Sequence, residues 1–449
     1  MDIQKIISQM TLEEKTALLN GKDFWHLKGV ERLGKLLEKY GDDKLTNPVM
    51  ALPSGITAPY YDPSISPEGL AHFWGEPLYG YYSMKDPWVI ARHVELFTMA
   101  NIDYLLFDYT NAVTYNDVVT LVLNTLKKFQ DQGWKVPKVG FYTNSSGFTT
   151  VKNVYNYFYK DGRYDDLWFR FDGDSRPVIV GVSTANGGAT DQNDSSEFVP
   201  VGSEVYNYFN FYESQWPSSG GINQTKGFPW MQWGAPVPND NGNASVSVIQ
   251  HSKASVFASD QLPNSSRGYD GQGGKTEDWK KGSNFEWQWE EAFKYDAANM
   301  VSNIFVTGWN EWIVRKLATD DPAAHHWDWG EYVDSFTMAL SRDAEMMKGG
   351  YGDNYYMQIA RNIRRFRGRT VENSDNVASN EKETVVIDNL SEWEKISRRY
   401  LDLGTSTVER NHTSVDRDVP YKDDSARNDI DYLKICNDGQ NLYVAVNAD

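Results

Sequence analysis

Cysteine is almost missing from this chain of 449 residues: Cys436 is its single example. One thiol builds neither a disulfide framework nor a cysteine-ligated metal site, and Cys436 reads as a small buried residue in a strand. Positive charge is also scarce. Lys and Arg number 44 against 62 Asp and Glu, a net charge of −18, which disfavours nucleic acid and anionic membranes as partners. Long apolar runs are lacking too. Nowhere do about 18 apolar residues follow one another, so no transmembrane helix is expected. Met1-Asp2-Ile3-Gln4-Lys5 opens a polar, amphipathic start without an apolar leader core, which places the chain as given in the cytoplasm, or in a secreted or periplasmic setting if its true start lies upstream. A phosphate loop is excluded at Gly273-Gly274-Lys275-Thr276, because the position that requires glycine is Tyr269. His325-His326 has no spaced third ligand. Neither a metal nor a cofactor is expected.

What the chain has in excess is aromatic surface. Aromatics make up 14% of the residues, with 16 Trp and 27 Tyr, and hydrophobic residues 40%, enough for a large core. Flat apolar rings suit the C–H faces of a sugar, and a neutral, polyhydroxylated substrate fits the acidic balance. Asn303-Ile304-Phe305-Val306-Thr307 reads as a buried strand, and it runs into Gly308-Trp309-Asn310-Glu311-Trp312. A carboxylate between two indoles is costly unless it is used. Low local dielectric raises a carboxyl toward the range of a general acid. The alternative is a strand-end Glu packed under two core tryptophans.

Hydrophobic periodicity divides the chain. Residues 1–44 form a helical extension, with Ile3, Ile6, Ile7 and Met10 on one face and Thr11-Leu12-Glu13-Glu14 offering a second helix start. Residues 45–370 carry a βα rhythm. Asp86 caps a helix with Pro87 at its first position, running to about Ala100. Strands are expected at 104–108, 138–144, 177–182, 228–233, 245–251 and 304–309. Helices are expected at 115–132, 149–160, 197–213, 287–299, 331–347 and 354–368. Parallel strands with crossover helices over some 300 residues predict an α/β fold, a (β/α)8 TIM-type barrel, with a doubly wound sheet as the runner-up. Its first strand is weakly marked, by Val49-Met50-Ala51-Leu52 alone. Residues 371–384 are a polar linker. Residues 385–449 shift to short alternating runs, a partial β-sandwich with a hairpin at Asp438-Gly439.

Barrel chemistry gathers at the C-terminal ends of the strands, which points to Asp108, Asn111, Tyr142, Asn144, His251, Trp309, Asn310 and Glu311. Glycoside hydrolysis needs two carboxyl groups, one protonating the leaving oxygen and one acting as base or nucleophile. Glu311 and Asp108 are the first pair. Asp108 is equally readable as an N-cap of the following helix. Glu76, in Trp74-Gly75-Glu76-Pro77, is the reserve. Asn111 and Asn144 would bind sugar hydroxyls or form turns. His251 would line the pocket or pack structurally.

These residues support a resemblance. Residues 70–370 resemble the barrel proteins of glycoside hydrolase families 71 and 99, through His72-Phe73-Trp74-Gly75-Glu76-Pro77, Asp86-Pro87-Trp88-Val89-Ile90, Phe107-Asp108-Tyr109-Thr110-Asn111, Phe141-Tyr142-Thr143, Gly308-Trp309-Asn310-Glu311-Trp312 and the run Gly349–Tyr356. The resemblance implies a carbohydrate substrate and a catalytic role for Glu311, with Trp74, Trp309, Asn310 and Trp312 around the sugar. The second Glu that family 99 carries three residues further on is Val314 here. Met10–Lys15, Gly21–Trp25 and Val30–Gly34 resemble the opening of family 3 glycoside hydrolases. The tail resembles the start of a family 9-like carbohydrate-binding sandwich, through Trp393, Tyr400, Asp402, Arg427-Asn428-Asp429-Ile430 and Asn441-Leu442-Tyr443. The expected function is hydrolysis of a poly- or oligosaccharide; the alternative is a non-catalytic glycan binder on the same barrel.

Overall fold

The computed structural model describes residues 21–23, 26–27, 71–186, 197–215, 226–231, 238–249, 266–271, 279–315, 338–367 and most of 384–448. The expected helix at 1–20, the strand candidate at 49–52, His251, His325-His326 and residues 371–383 of the linker lie outside them.

Two short strands, β1 (Gly21–Asp23) and β2 (His26–Leu27), pair antiparallel, and β3 (Ala71–Phe73) follows. Helix α1 (Pro87–Met99) starts as its sequence dictates: Asp86 accepts from the Trp88 amide, and Pro87 takes the first turn. The chain then alternates β4 (Tyr104–Tyr109), α2 (Asn116–Asp131), β5 (Lys138–Thr143), α3 (Gly147–Val154) and β6 (Val178–Gly181). Helix α4 (Glu204–Tyr208), β7 (Asn210–Gln215) and β8 (Gly227–Pro229) continue it. Strands β4-β5-β6-β7-β8 form one all-parallel sheet. Next come β9 (Asn239–Asp240), β10 (Asn243–Ser247), α5 (Ser283–Ala297), β11 (Asn303–Thr307), β12 (Ile313–Arg315) and α6 (Asn354–Phe366). Strands β10 and β11 are parallel, and β9 flanks β10 antiparallel.

The two sheets meet through side chains. Asn243 donates to the Gly227 carbonyl at 3.4 Å and Ser245 to the Trp230 carbonyl at 2.7 Å, and Thr307 also donates to Trp230. Strand starts thus meet strand starts, and β10 and β11 run in the direction of β4–β8. The result is a curved α/β sheet of half-barrel form.

Alternation along β5 shows how the core is divided. Val139 and Phe141 face the helices, in a cluster with Leu123, Leu126, Phe129, Phe158 and Trp168. Tyr142 faces the concave side with Val180, Phe228, Trp230 and Leu340. Gly140 lies between them on the concave side, and a Cβ there would sit 2.9 Å from the Leu106 side chain. Trp74, Trp289 and Trp312 centre a further cluster under α5 and α6.

Two expectations are corrected. The helix expected over 197–213 shrinks to α4, capped by Ser203, whose hydroxyl accepts from the Tyr206 amide at 3.3 Å. Asn210–Gln215 is instead strand β7, because Phe211 and Tyr212 must face opposite sides of the sheet, one toward the helices and one toward the concave cluster. Ser203→Ala is expected to cost about 1 kcal/mol in urea unfolding. Residues 338–347, expected as helix, form an irregular buried segment. Helix-forming residues yield there to tertiary pairing of Arg342 and Glu345.

The tail adds a 3-10 helix over Leu390–Lys395 and strands β13 (Tyr400–Leu401), β14 (Arg410–Thr413), β15 (Pro420–Asp423), β16 (Ile430–Asn437) and β17 (Leu442–Ala448). Strands β13-β16-β17 make one sheet and β14-β15 a hairpin. That hairpin docks on the loop before α1: Arg410 pairs with Asp86 at 2.8 Å and lies over the Trp88 and Tyr421 rings.

Candidate active site

Strand β11 ends at Thr307, and Gly308 then turns with φ +93°. A Cβ at this position would stand 2.5 Å from the Arg342 carbonyl, so only glycine combines the left-handed backbone with the close approach. Gly308→Ala is expected to destabilise the fold by about 1–3 kcal/mol, measured by urea unfolding.

The turn delivers Glu311 with its side chain 43% exposed and ion-paired to Arg342. The backbone carbonyl of Glu311 accepts from the Trp74 indole at 2.7 Å. Glu311, Asn310, Trp309 and Arg342 line a cavity of about 340 Å³, and Asp108 lines it too. Asp108 is exposed at the end of β4, where one oxygen accepts from the Thr110 amide at 2.9 Å and its hydroxyl at 2.7 Å. It does not cap α2, whose N-cap position is Tyr115. Two carboxylates from distant strands therefore open onto one cavity.

Other predicted site residues lie elsewhere. Glu76 is outside the cavity lining and pairs with Lys348 at 2.5 Å. Asn111 is exposed on the turn after β4. Asn144 is half-buried and accepts from Ser214 at 3.0 Å. Trp74, Trp312 and Tyr142, expected to hold substrate, are packing residues. Trp74 stacks on Trp312 with centroids 4.4 Å apart, brought together by the β3–β12 pairing. Tyr142 is fully buried and donates to the Phe228 carbonyl at 2.7 Å; burial pushes its phenol far above the ordinary value. Trp309 packs edge-on against Phe97 at 4.7 Å and His93 at 5.7 Å, while keeping one side on the cavity.

Sequence reasoning missed the segment that supports Glu311. Arg342 partners it directly. Three residues on, Glu345 is fully buried and accepts from the Tyr82 hydroxyl at 2.6 Å, from His93 Nε2 at 2.8 Å and from the Trp312 indole. Burial and the Glu345 charge push the Tyr82 phenol well above its ordinary value, so it donates rather than ionises. Arg342 and Glu345 stand three apart, the spacing of one exposed helix face, so the sequence carries no signal for their burial. Among the described residues no cluster of His, Cys, Asp and Glu could hold a metal.

No family model matches the chain. A stretch of 34 residues is 71% identical to thermostable beta-glucosidase B of Acetivibrio thermocellus, spanning 8% of this chain and only 4% of that protein. Among solved structures, the GH99 endo-alpha-mannosidase from Bacteroides thetaiotaomicron aligns over 67% of this chain and 85% of its own, with 15% identity and a TM-score of 0.39. Its complex with BIS-TRIS-propane aligns over 69% and 95%, with the same identity and score. A glycoside hydrolase-like protein aligns over 65% and 89%, at 15% identity and a TM-score of 0.31.

Proposed function

We propose that this chain is a carbohydrate-active protein on a (β/α)8 framework, and that it hydrolyses a glycosidic bond of a poly- or oligosaccharide. The observation that carries the reading is that Glu311, in the turn after β11, and Asp108, at the end of β4, line one cavity with an indole, Trp309, beside them. Two carboxyl groups facing one cavity are what glycoside hydrolysis requires. Glu311, ion-paired to Arg342, would act as the general acid/base, and Asp108 would supply the second carboxylate. Asn310 and Trp309 would hold the ring, and the net charge of −18 suits a neutral ligand. The tail would serve as a partial carbohydrate-binding-like sandwich.

The test is hydrolysis of a panel of α- and β-linked oligosaccharides, α-mannosides included, by the wild type and by Glu311→Gln. Release of reducing ends by the wild type with loss in the variant supports the reading. Equal cleavage by both removes Glu311 from it. Saturable binding by both with no turnover selects a non-catalytic glycan binder.

A further inference from the structure

The loop that precedes α1 touches the candidate active site on one side and the tail on the other. On the first side it supplies both recorded acceptors of the Asn310 amide. Asn310 Nδ2 donates to the Tyr82 oxygen and to the Met84 sulfur, each at 3.2 Å. Asn310 directly precedes Glu311. The Tyr82 proton is committed to Glu345 at 2.6 Å, which leaves the phenol oxygen as an acceptor for Asn310. The amide beside Glu311 is thus oriented by side chains of residues 79–86, far earlier in the chain.

On the other side the tail hairpin grips that loop. Short turns close within the loop, from the Gly80 amide to Pro77, from Tyr82 to Gly80 and from Asp86 to Ser83. What bridges its two ends is a residue of the tail. Arg410 of β14 donates through Nε to the Asp86 carboxylate at 2.8 Å and through a terminal nitrogen to the Tyr79 carbonyl at 3.0 Å. Between those ends, the Tyr81 amide donates to the Tyr421 hydroxyl of β15 at 2.9 Å. The guanidinium also lies over the Tyr421 and Trp88 rings, 4.2 and 4.7 Å from their centroids. Gly80 fits this contact: its φ is +80°, and a Cβ there would collide with the Tyr421 hydroxyl. Arg410 and Asp86 are both buried. A buried ion pair adds little net stability over apolar packing of the same volume. A planar fork that joins two points does fix their separation.

We propose that Arg410 and Tyr421 are positioning residues of the candidate active site. They hold residues 79–86 in the shape that presents Tyr82 and Met84 to Asn310, and so set the amide beside Glu311. The hairpin β14–β15 is then part of the frame of the site, whatever the rest of the tail binds. The effect on turnover rests on the proposed hydrolysis; the coupling itself is measured without substrate.

The test uses the full chain with Arg410→Met and Tyr421→Phe, the second of which deletes one hydroxyl. Amide exchange followed by mass spectrometry is expected to speed up at 79–86 and at 308–312 in both variants, with 138–143 and 178–181 unchanged. Faster exchange that stops at residue 86 overturns the proposal, because the hairpin would then only cover the loop. If Arg410→Met loosens the whole chain, Tyr421→Phe alone is read, by the same criterion. On an oligosaccharide that the wild type cleaves, Arg410→Met is expected to lower kcat about ten- to a hundredfold, the usual consequence of a small misplacement. In an Asn310→Ala background the same substitution is expected to change kcat less than about twofold, since the group it positions is gone. Independent, multiplying losses overturn the proposal. A wild type that cleaves no oligosaccharide removes the proposed hydrolysis and leaves this inference to the exchange result, which decides it alone.

Discussion

Glu345→Ala is expected to cost this protein about 3–5 kcal/mol of folding stability, because removing one member of a buried, fully partnered polar group leaves its partners desolvated and unpaired. The side chain has no solvent exposure, and three donors from separate segments converge on its two oxygens: Tyr82 before α1, His93 within α1 and Trp312 after β11. Alanine would strand all three and open a void beneath the Trp74–Trp312 stack. Glu345→Gln keeps the volume and one acceptor, but turns an amide N–H₂ toward a donor, so a smaller loss is expected. The measurement is urea unfolding of the wild type and both variants. Unfolding free energies within about 1 kcal/mol of the wild type for both would show that the three donors are satisfied without the carboxylate.

The same segment explains what the sequence could and could not reveal. Strands β4, β5 and β6 and helices α1 and α2 were legible because their signals are local: a β-branched or aromatic run, a cap, a proline at the first turn. Strand β7 was misread because Val205-Tyr206-Asn207-Tyr208-Phe209-Asn210-Phe211-Tyr212 has no breaker. What ends α4 there is Phe209 turning to an extended backbone, with ψ 150°, so that the next two aromatics can serve two cores. Residues 338–347 read as helix by composition, and the cause of their irregular path lies more than 250 positions away, at Tyr82 and His93. Of the site, Glu311 and Asp108 were legible as strand-end acids. Arg342 was not, since nothing near it in the chain names Glu311. The aromatic excess misled in part: Trp74, Trp312 and Tyr142 look in composition like a sugar platform and in three dimensions are core.

Glu311→Gln is expected to lower kcat/KM on the cleaved oligosaccharide by about 10²–10⁴-fold, the usual range when a proton-transferring side chain is removed, equivalent to about 2.7–5.5 kcal/mol of barrier. This substitution contrasts with the change at Glu345, 34 residues later. Glu311 is 43% exposed and glutamine keeps an acceptor for the buried Arg342 guanidinium, so the loss of stability should stay below that of Glu345→Ala. The pair of variants thus separates two carboxylates that a sequence cannot tell apart, one whose loss is read in turnover and one whose loss is read in unfolding. Arg342→Met adds a third arm. It leaves Glu311 in place without its cation, and if Glu311 works ionised, the acid limb of the pH–rate profile should move to higher pH. An unmoved acid limb would mean that Arg342 holds the loop and does not set the charge of Glu311. A Glu311→Gln variant as fast as the wild type would remove Glu311 from the proposed chemistry.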